Sequence, residues 1–192
     1  MKKQVLIFLF DGYSDWEISY IAPELRKRSD YEVLYFSIDG KPIVSMGGLN
    51  VLPSKSLCEV SVDTADMLIL PGGHAWEKGE LSEIDDLIKA MTKQGKAVAA
   101  ICGATICLAQ FGLLDSVKHT SNVLFYLKQM AANYKGDENY VETEAVADQN
   151  IITAGGIYPI EFAKAILTQL DPTEDTAINK WFQLFKHGVW VE

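Results

Sequence analysis

Short apolar runs alternate along the chain with longer stretches that have helical spacing of apolar side chains. The apolar runs predict buried strands over residues 5–10, 31–38, 66–70 and 96–101. The helical spacing predicts helices over residues 14–28, 80–93, 103–111, 122–131, 158–170 and 173–187. Pro23 predicts a kink or break in the first helix. Residues 140–148 and 150–154 flank a turn and suggest a hairpin, whereas residues 43–57 are irregular.

Apolar strands separated by helices are typical of a parallel sheet that is covered by helices on both faces. No internal repeat and no linker divides the 192 residues, so we expect a single domain over residues 1–192. In such sheets, sites lie at the carboxyl ends of strands. That rule points to residues 11–17, to residues 71–76 and to Cys102.

Charge and composition narrow the possible partners. The net charge of -9 and the absence of a basic stripe argue against nucleic-acid binding. The N-terminal apolar run, Val5 to Phe10, ends at Asp11-Gly12 and reads as a strand rather than a signal peptide. No apolar stretch approaches the ~18 residues of a membrane span. We therefore expect neither a nucleic-acid nor a membrane partner.

The cysteines and histidines give no sign of a metal site. The three cysteines have neither zinc-ligand nor CxxC spacing, and the three histidines are scattered. Glycine-rich nucleotide-binding loops are also missing. We therefore expect no cofactor and no metal. Free thiols suit a reducing compartment, so the cytoplasm is the expected location.

The segment after residues 96–101 has the pattern of a nucleophile elbow. Cys102 follows the strand directly, and the tight turn has small neighbours: Ala100, Gly103 and Ala104. The thiol would lie at the N-terminus of a helix, where the dipole and free N–H groups favour the reactive thiolate. The alternative is a buried structural cysteine, which is the favoured interpretation of Cys58 and Cys107.

Several motifs together resemble the ThiJ/PfpI family of the class I glutamine amidotransferase-like superfamily. In chain order they are VLIFLFDGYSDWE, DMLILPGG, AAICGAT, GLLDSVKHTSN and NIITAGGIYPIEFAKAIL. Their order and spacing fit the family from residue 1 to about residue 170. The resemblance implies a flavodoxin-like three-layer α/β/α sandwich with a mostly parallel sheet and a small β-hairpin. It also implies a homodimer.

The resemblance further implies which residues form a site. It assigns the reactive cysteine to Cys102 and an acidic partner to Glu17. It places an oxyanion pocket at the backbone N–H groups beside Gly72, Gly73 and Gly103. Alternative interpretations are a capping box formed by Glu17 with Ser14, and a PGG turn that merely ends a strand.

The histidines depart from the family patterns. Protease-like members carry a histidine directly after the nucleophile, where this chain has Gly103. Amidotransferases use a late His-x-Glu pair, whereas His187 is followed by Gly188 and Val189. His119 lies about where some family members carry a histidine near the cysteine, so the resemblance makes it the candidate acid or base. Its alternative role is that of a loop histidine bonded to the backbone. His74 is a candidate pocket residue, or else a solvated one.

Three functions are compatible with these residues. In the leading hypothesis, Cys102 attacks the carbonyl of an amide, peptide, α-oxoaldehyde or glycated adduct, with Glu17 as proton relay. In the second, the chain is an oxidative-stress sensor or chaperone-like protein in which Cys102 is oxidised without turnover. In the third, the fold serves as a binding module and the thiol is incidental.

Overall fold

A computed structural model describes residues 2–191 and has a seven-stranded sheet at its centre. In chain order the strands are β1 (Lys3–Phe8), β2 (Tyr31–Ser37), β3 (Ile43–Val44), β4 (Asn50–Val51), β5 (Lys55–Ser56), β6 (Ala65–Leu70), β7 (Ala97–Ile101), β8 (Ala145–Asp148) and β9 (Ile151–Ala154). The order in the sheet is β5-β2-β1-β6-β7-β9-β8. All neighbours are parallel except β8, which pairs with β9 in antiparallel fashion. Strands β3 and β4 form a separate antiparallel hairpin.

Helices cover this sheet in two groups. The helices are α1 (Asp15–Ile18), α2 (Ile21–Lys27), α3 (His74–Lys78), α4 (Asp85–Lys93), α5 (Ala104–Gln110), α6 (Leu124–Met130), α7 (Pro159–Leu170) and α8 (Asp175–His187). Helices α1, α2 and α8 contact α7, whereas α3 and α6 contact α5. The predicted flavodoxin-like sandwich with a small hairpin is confirmed. Within residues 2–191, none of the helices combines the length and apolarity needed to cross a bilayer.

The core lies along the central strands. Residues 5–8 of β1, 67–70 of β6 and 98–101 of β7 are all fully buried. Strands buried on both faces need continuous apolar runs rather than alternation, which explains why these segments are so uniform in sequence. Burial of this apolar surface is the main favourable contribution to folding.

The predicted helix over residues 14–28 is two helices, with the break at Ser19 and Tyr20. Pro23 is the third residue of α2, and a proline ring clashes with the carbonyl of the residue four positions earlier. That residue is Ser19, so the break lies one turn before the proline. Helix α3, directly after the PGG turn, was not predicted, because five residues are too few to show helical periodicity.

Core packing in β6 gives a test of this description. Ile69 is fully buried, and we expect Ile69→Ala to lower the free energy of unfolding by about 2–5 kcal/mol, since it leaves a cavity. Urea denaturation measures this loss. The control is Val189→Ala, whose side chain is exposed and whose effect should be below about 0.5 kcal/mol. Equal effects of the two substitutions would contradict the placement of the core.

Candidate active site

The carboxyl ends of four neighbouring strands meet at one edge of the sheet. Glu17 lies in the segment after β1, Gly72 follows β6, Cys102 follows β7 and Gly156 follows β9. These strands are adjacent in the order β1-β6-β7-β9. Parallel neighbours bring their carboxyl ends together, which is where sites form in such sheets. Three of the four segments are the ones that the sequence pattern indicated.

Cys102 occupies the left-handed backbone region, with φ at 58°. This conformation is uncommon for residues other than glycine and requires support from the surroundings. Its N–H donates to the carbonyl of Ala154 at 3.0 Å. Its carbonyl accepts a hydrogen bond from the hydroxyl of Thr105 at 2.6 Å. The Thr105 hydroxyl oxygen also lies 2.7 Å from the hydroxyl oxygen of Ser121. Buried hydrogen bonds thus hold Cys102 in a sharp strand-to-helix turn.

Glu17 lies beside the thiol with none of its surface exposed. Its Oε2 accepts a hydrogen bond from the N–H of Gly72 at 2.5 Å. The capping box with Ser14 does not form, because the Ser14 side chain makes no capping hydrogen bond. Within residues 2–191, Oε1 has no nitrogen or oxygen partner in full hydrogen-bond geometry, although the Ser14 hydroxyl lies near enough to Glu17 to oppose the rise of its pKa. The Cys102 thiol is the group beside it with which it can share a proton.

Two glycines permit this close approach. A Cβ on Gly72 would lie 2.6 Å from the Cβ of Cys102 and 2.9 Å from Oε2 of Glu17. A Cβ on Gly156 would lie 2.8 Å from the Cys102 sulfur and 3.1 Å from Oε1 of Glu17. Real Cβ atoms do not approach other atoms so closely, since interiors are already close-packed. Only glycine fits at both positions without displacing the thiol or the carboxyl group.

The structure places three further residues at the site that sequence reasoning missed: Asn122, Gly156 and Trp16. The amide of Asn122 donates to the Cys102 sulfur at 3.4 Å, and its oxygen accepts from the Gly156 N–H at 2.9 Å. The indole N–H of Trp16 donates to the carbonyl of Gly156 at 3.0 Å. The AGG sequence after β9 repeats the small-residue pattern of the PGG turn, and that pattern could have indicated Gly156.

Burial controls the charge of this pair. It raises the pKa of Glu17 to about 7, against the opposing hydrogen bond from Gly72. Burial and the neighbouring Glu17 charge also raise the pKa of the Cys102 thiol, and they outweigh the hydrogen bonds from Asn122 and the Gly103 N–H that favour the thiolate. Two groups this close titrate as a unit. Near neutral pH the pair carries at most one negative charge.

His119 lies in a different environment from the one that its predicted role requires. It is fully buried, and its Nδ1 lies 2.8 Å from the carbonyl of Val117. Its Nε2 lies 2.6 Å from the hydroxyl of Tyr134. A carbonyl only accepts, so Nδ1 carries the proton and Nε2 accepts from the tyrosine. Burial lowers the pKa of His119, and no described contact joins this neutral ring to Cys102.

The remaining predicted pocket residues lie around the PGG turn. Gly73 directly precedes helix α3. A Cβ on Gly103 would lie 3.0 Å from the carbonyl oxygen of Gly73, so the backbones of the two glycines are in contact. The N–H of Gly72 is already bound by Glu17. His74 is solvent-exposed at the start of α3, and its Nδ1 lies 3.2 Å from a carboxylate oxygen of Glu77.

An open cleft adjoins the site at Asn122. It has a volume of about 400 Å³, and its lining includes Tyr140, Glu144 and Tyr158. Within residues 2–191, no group of three histidine, cysteine or acidic side chains is arranged to hold a metal ion.

The raised pKa of Glu17 gives a test of the site's electrostatics. A carboxyl group whose pKa is raised on folding favours the folded state while it is protonated, and this advantage is lost as the pH rises through the folded pKa. Relative to Glu17→Gln, the wild-type free energy of unfolding should fall by about 3 kcal/mol between about pH 4 and about pH 8. Urea denaturation across this range measures the difference.

The matched control for this experiment is Glu83→Gln, since Glu83 is exposed. Its unfolding curve should follow the wild-type curve at every pH. Parallel pH dependence of wild type and Glu17→Gln would contradict the burial of an ionisable carboxyl group beside Cys102.

Comparison with known proteins places the chain in a family. The DJ-1/PfpI family profile matches residues 3–169. An uncharacterized protease of Bacillus subtilis, YoaZ, is 37% identical, with 96% of this chain and 91% of that protein covered. A deglycase of Thermococcus kodakarensis is 32% identical over 79% of this chain and 89% of its own length. The crystal structure of a thiJ/pfpI family protein from Bacillus anthracis superimposes with a TM-score of 0.93, at 38% identity and with 98% and 92% of the two chains covered. The chain therefore belongs to the DJ-1/PfpI family.

Proposed function

We propose that the chain is a hydrolase- or deglycase-type enzyme in which Cys102 attacks the carbonyl carbon of a small substrate. Amides, peptides, α-oxoaldehydes and glycated adducts are the candidate substrates. The observation that carries the proposal is the contact of a strained, half-buried cysteine with a fully buried carboxyl group. Related proteins named as a protease and as deglycases support this class of reaction.

In the proposed reaction, Glu17 takes the thiol proton as the substrate arrives. The pKa of Glu17, about 7, suits a group that must both accept and return a proton near neutral pH. The sulfur then forms a bond to the carbonyl carbon, and the π electrons of the carbonyl move to its oxygen. Asn122 donates to the sulfur throughout.

With an amide or peptide, collapse of the intermediate breaks the C–N bond and Glu17 gives its proton to the departing amine; water then hydrolyses the Cys102 thioester, as Glu17 accepts a proton from the water and returns it to the sulfur. An α-oxoaldehyde has no leaving group: Glu17 gives its proton to the new alkoxide, then moves the C1 proton of the hemithioacetal to C2, and water hydrolyses the resulting 2-hydroxyacyl thioester in the same way.

The negative oxygen of that intermediate needs hydrogen-bond donors. The Gly72 N–H is committed to Glu17, and the Gly103 N–H donates to the Cys102 sulfur in the resting site. The proposed oxyanion donors are the Gly73 N–H and the Gly103 N–H, which is released from the sulfur once the S–C bond has removed the negative charge there. Their backbones meet beside Cys102. Such preorganised donors typically contribute about 3–4 kcal/mol to the transition state. His119 takes no part in this scheme, because both of its ring nitrogens have partners.

An oxidative-stress sensor is the second candidate, and one observation favours it. A protonated Glu17 beside the sulfur can donate a hydrogen bond to an oxygen that hydrogen peroxide adds to Cys102. This role needs no histidine. A reducing compartment such as the cytoplasm, which the free cysteines favour, would keep the resting thiol reduced.

Turnover of methylglyoxal and of glycated N-acetyl-lysine tests the enzyme against the sensor. We expect turnover to fall by about a hundredfold or more in Cys102→Ser, since the nucleophile is lost. We expect a fall of about 10² or more in Glu17→Gln, since the proton relay is lost. The matched control is Cys58→Ser, because Cys58 is exposed and remote in sequence from the site; it should leave the rate unchanged.

Undiminished turnover in Cys102→Ser would overturn the enzyme proposal. If wild type has no turnover but peroxide oxidises Cys102 selectively, as mass spectrometry would show, the sensor takes its place.

We also propose that the chain forms a homodimer through the hairpin region. Its side chains Val44, Met46, Leu49 and Leu52 are exposed although apolar. This patch adjoins α1, since the Gly47 N–H donates to Asp15 at 3.1 Å. Apolar side chains grouped in this way commonly mark an interface, and burial in a dimer would remove them from water.

Size-exclusion chromatography with light scattering tests the dimer. We expect wild type to elute with the mass of two chains and Leu52→Glu to shift toward one, because a buried unpaired carboxylate is costly. Val189→Glu is the control, since Val189 is also an exposed apolar residue but lies outside the patch. A monomeric wild type at micromolar concentration would contradict this proposal.

A further inference from the structure

A tyrosine on helix α6, Tyr126, is hydrogen-bonded to helix α3 close to the site. Tyr126 lies in the first turn of α6, four positions after Asn122, the residue that donates to the Cys102 sulfur. Its hydroxyl donates to Oε1 of Glu77 on α3 at 2.8 Å. Helix α3 begins directly after Gly73. The Tyr126–Glu77 hydrogen bond therefore joins the two segments that flank the thiol.

The tyrosine ring lies within electrostatic reach of the reactive pair. Burial and the Glu77 carboxylate raise the pKa of Tyr126, and the charges of Cys102 and Glu17 add to this increase. The hydroxyl thus stays protonated throughout the range in which the pair titrates. None of the proposed chemical steps uses it.

Glu77 determines which way the tyrosine proton points. Its second oxygen, Oε2, lies 3.2 Å from Nδ1 of His74, which fixes the carboxylate from the solvent side. A tyrosine hydroxyl has one proton, and here that proton is donated in the hydrogen bond to Glu77. The phenolic oxygen therefore keeps only acceptor capacity, and donation to a carboxylate polarises it and strengthens it as an acceptor.

We propose that Tyr126 contacts the substrate as a hydrogen-bond acceptor and selects carbonyl compounds with an N–H or O–H group next to the reacting carbonyl. Amides and α-hydroxy carbonyl compounds are such substrates. Glu77 and His74 are positioning residues that act through Tyr126. This inference rests on the proposed function, because it takes Cys102 as the reacting atom.

Two isosteric alkylating reagents test the inference without turnover. Chloroacetamide carries an NH₂ group where chloroacetone carries a methyl group, and both alkylate thiols. Second-order rate constants at Cys102 and Cys58 are read by mass spectrometry in the same sample. Cys58 is exposed, so the ratio of the two rate constants at Cys58 measures the intrinsic reactivities of the reagents and is used to correct the ratio at Cys102.

The corrected ratio is the chloroacetamide rate constant divided by the chloroacetone rate constant at Cys102, divided by the same quotient at Cys58. In wild type it should be about five, because one hydrogen bond to the amide stabilises the reacting complex by about 1 kcal/mol. Tyr126→Phe should bring this ratio to about one, while the chloroacetone rate changes by less than about twofold. Glu77→Gln should give an intermediate ratio, since the amide holds the hydroxyl without a full charge. Tyr35→Phe, which removes a hydroxyl on β2, should leave the ratio at the wild-type value.

The outcomes separate this inference from the proposed function. A reactive Cys102 with the same corrected ratio in wild type and Tyr126→Phe overturns the inference alone. A Cys102 that neither reagent alkylates in wild type overturns the proposed function and the inference with it. If Tyr126→Phe does not fold, as circular dichroism would show, the Glu77→Gln ratio decides: a wild-type value overturns the inference and a lowered value supports it.

Discussion

Glu17 holds a carboxyl group with no exposed surface directly beside the Cys102 sulfur, and the site depends on how the chain tolerates this burial. An ionised carboxylate without water is costly unless hydrogen bonds replace the lost solvation. The chain supplies one strong donor, the Gly72 N–H. It leaves Oε1 without a nitrogen or oxygen partner in full hydrogen-bond geometry in the part of the chain that the structure describes. The unmet requirement is why burial raises the pKa of this carboxyl group to about 7.

Close packing around that carboxyl group accounts for the backbone of the surrounding turns. The sheet brings four strand ends together, but only glycine at positions 72 and 156 lets the thiol and the carboxyl group meet. Cys102 itself must adopt the left-handed conformation to point into this space. The Thr105 and Ala154 hydrogen bonds stabilise that conformation. The strained backbone conformation of Cys102 is therefore stabilised by these hydrogen bonds.

The sequence predicted the fold well because its short apolar runs alternate with segments of helical spacing, a pattern typical of a parallel sheet covered by helices. Local pattern favoured a capping box for Glu17, and only the family resemblance indicated its position beside Cys102. Asn122 was missed because its contact with the sulfur joins residues 20 positions apart, and no local pattern encodes such a pair. His119 shows the reverse case, since its residue type suits catalysis while its partners Val117 and Tyr134 leave no nitrogen free.

The position of one proton links the enzyme and the sensor interpretations. With the proton on sulfur, Glu17 is the charged group, and its field raises the pKa of the Cys102 thiol. With the proton on Glu17, the charge moves to sulfur, where the Asn122 amide and the Gly103 N–H both favour it. Burial disfavours charge on either group, so it largely cancels in the comparison between these two states. Because the pKa of the thiol is raised above that of Glu17, the proton moves to Glu17 only as the sulfur bonds to a substrate carbonyl carbon or to a peroxide oxygen. The same geometry can thus serve either reaction, and the groups at the mouth of the site decide which molecules reach the sulfur.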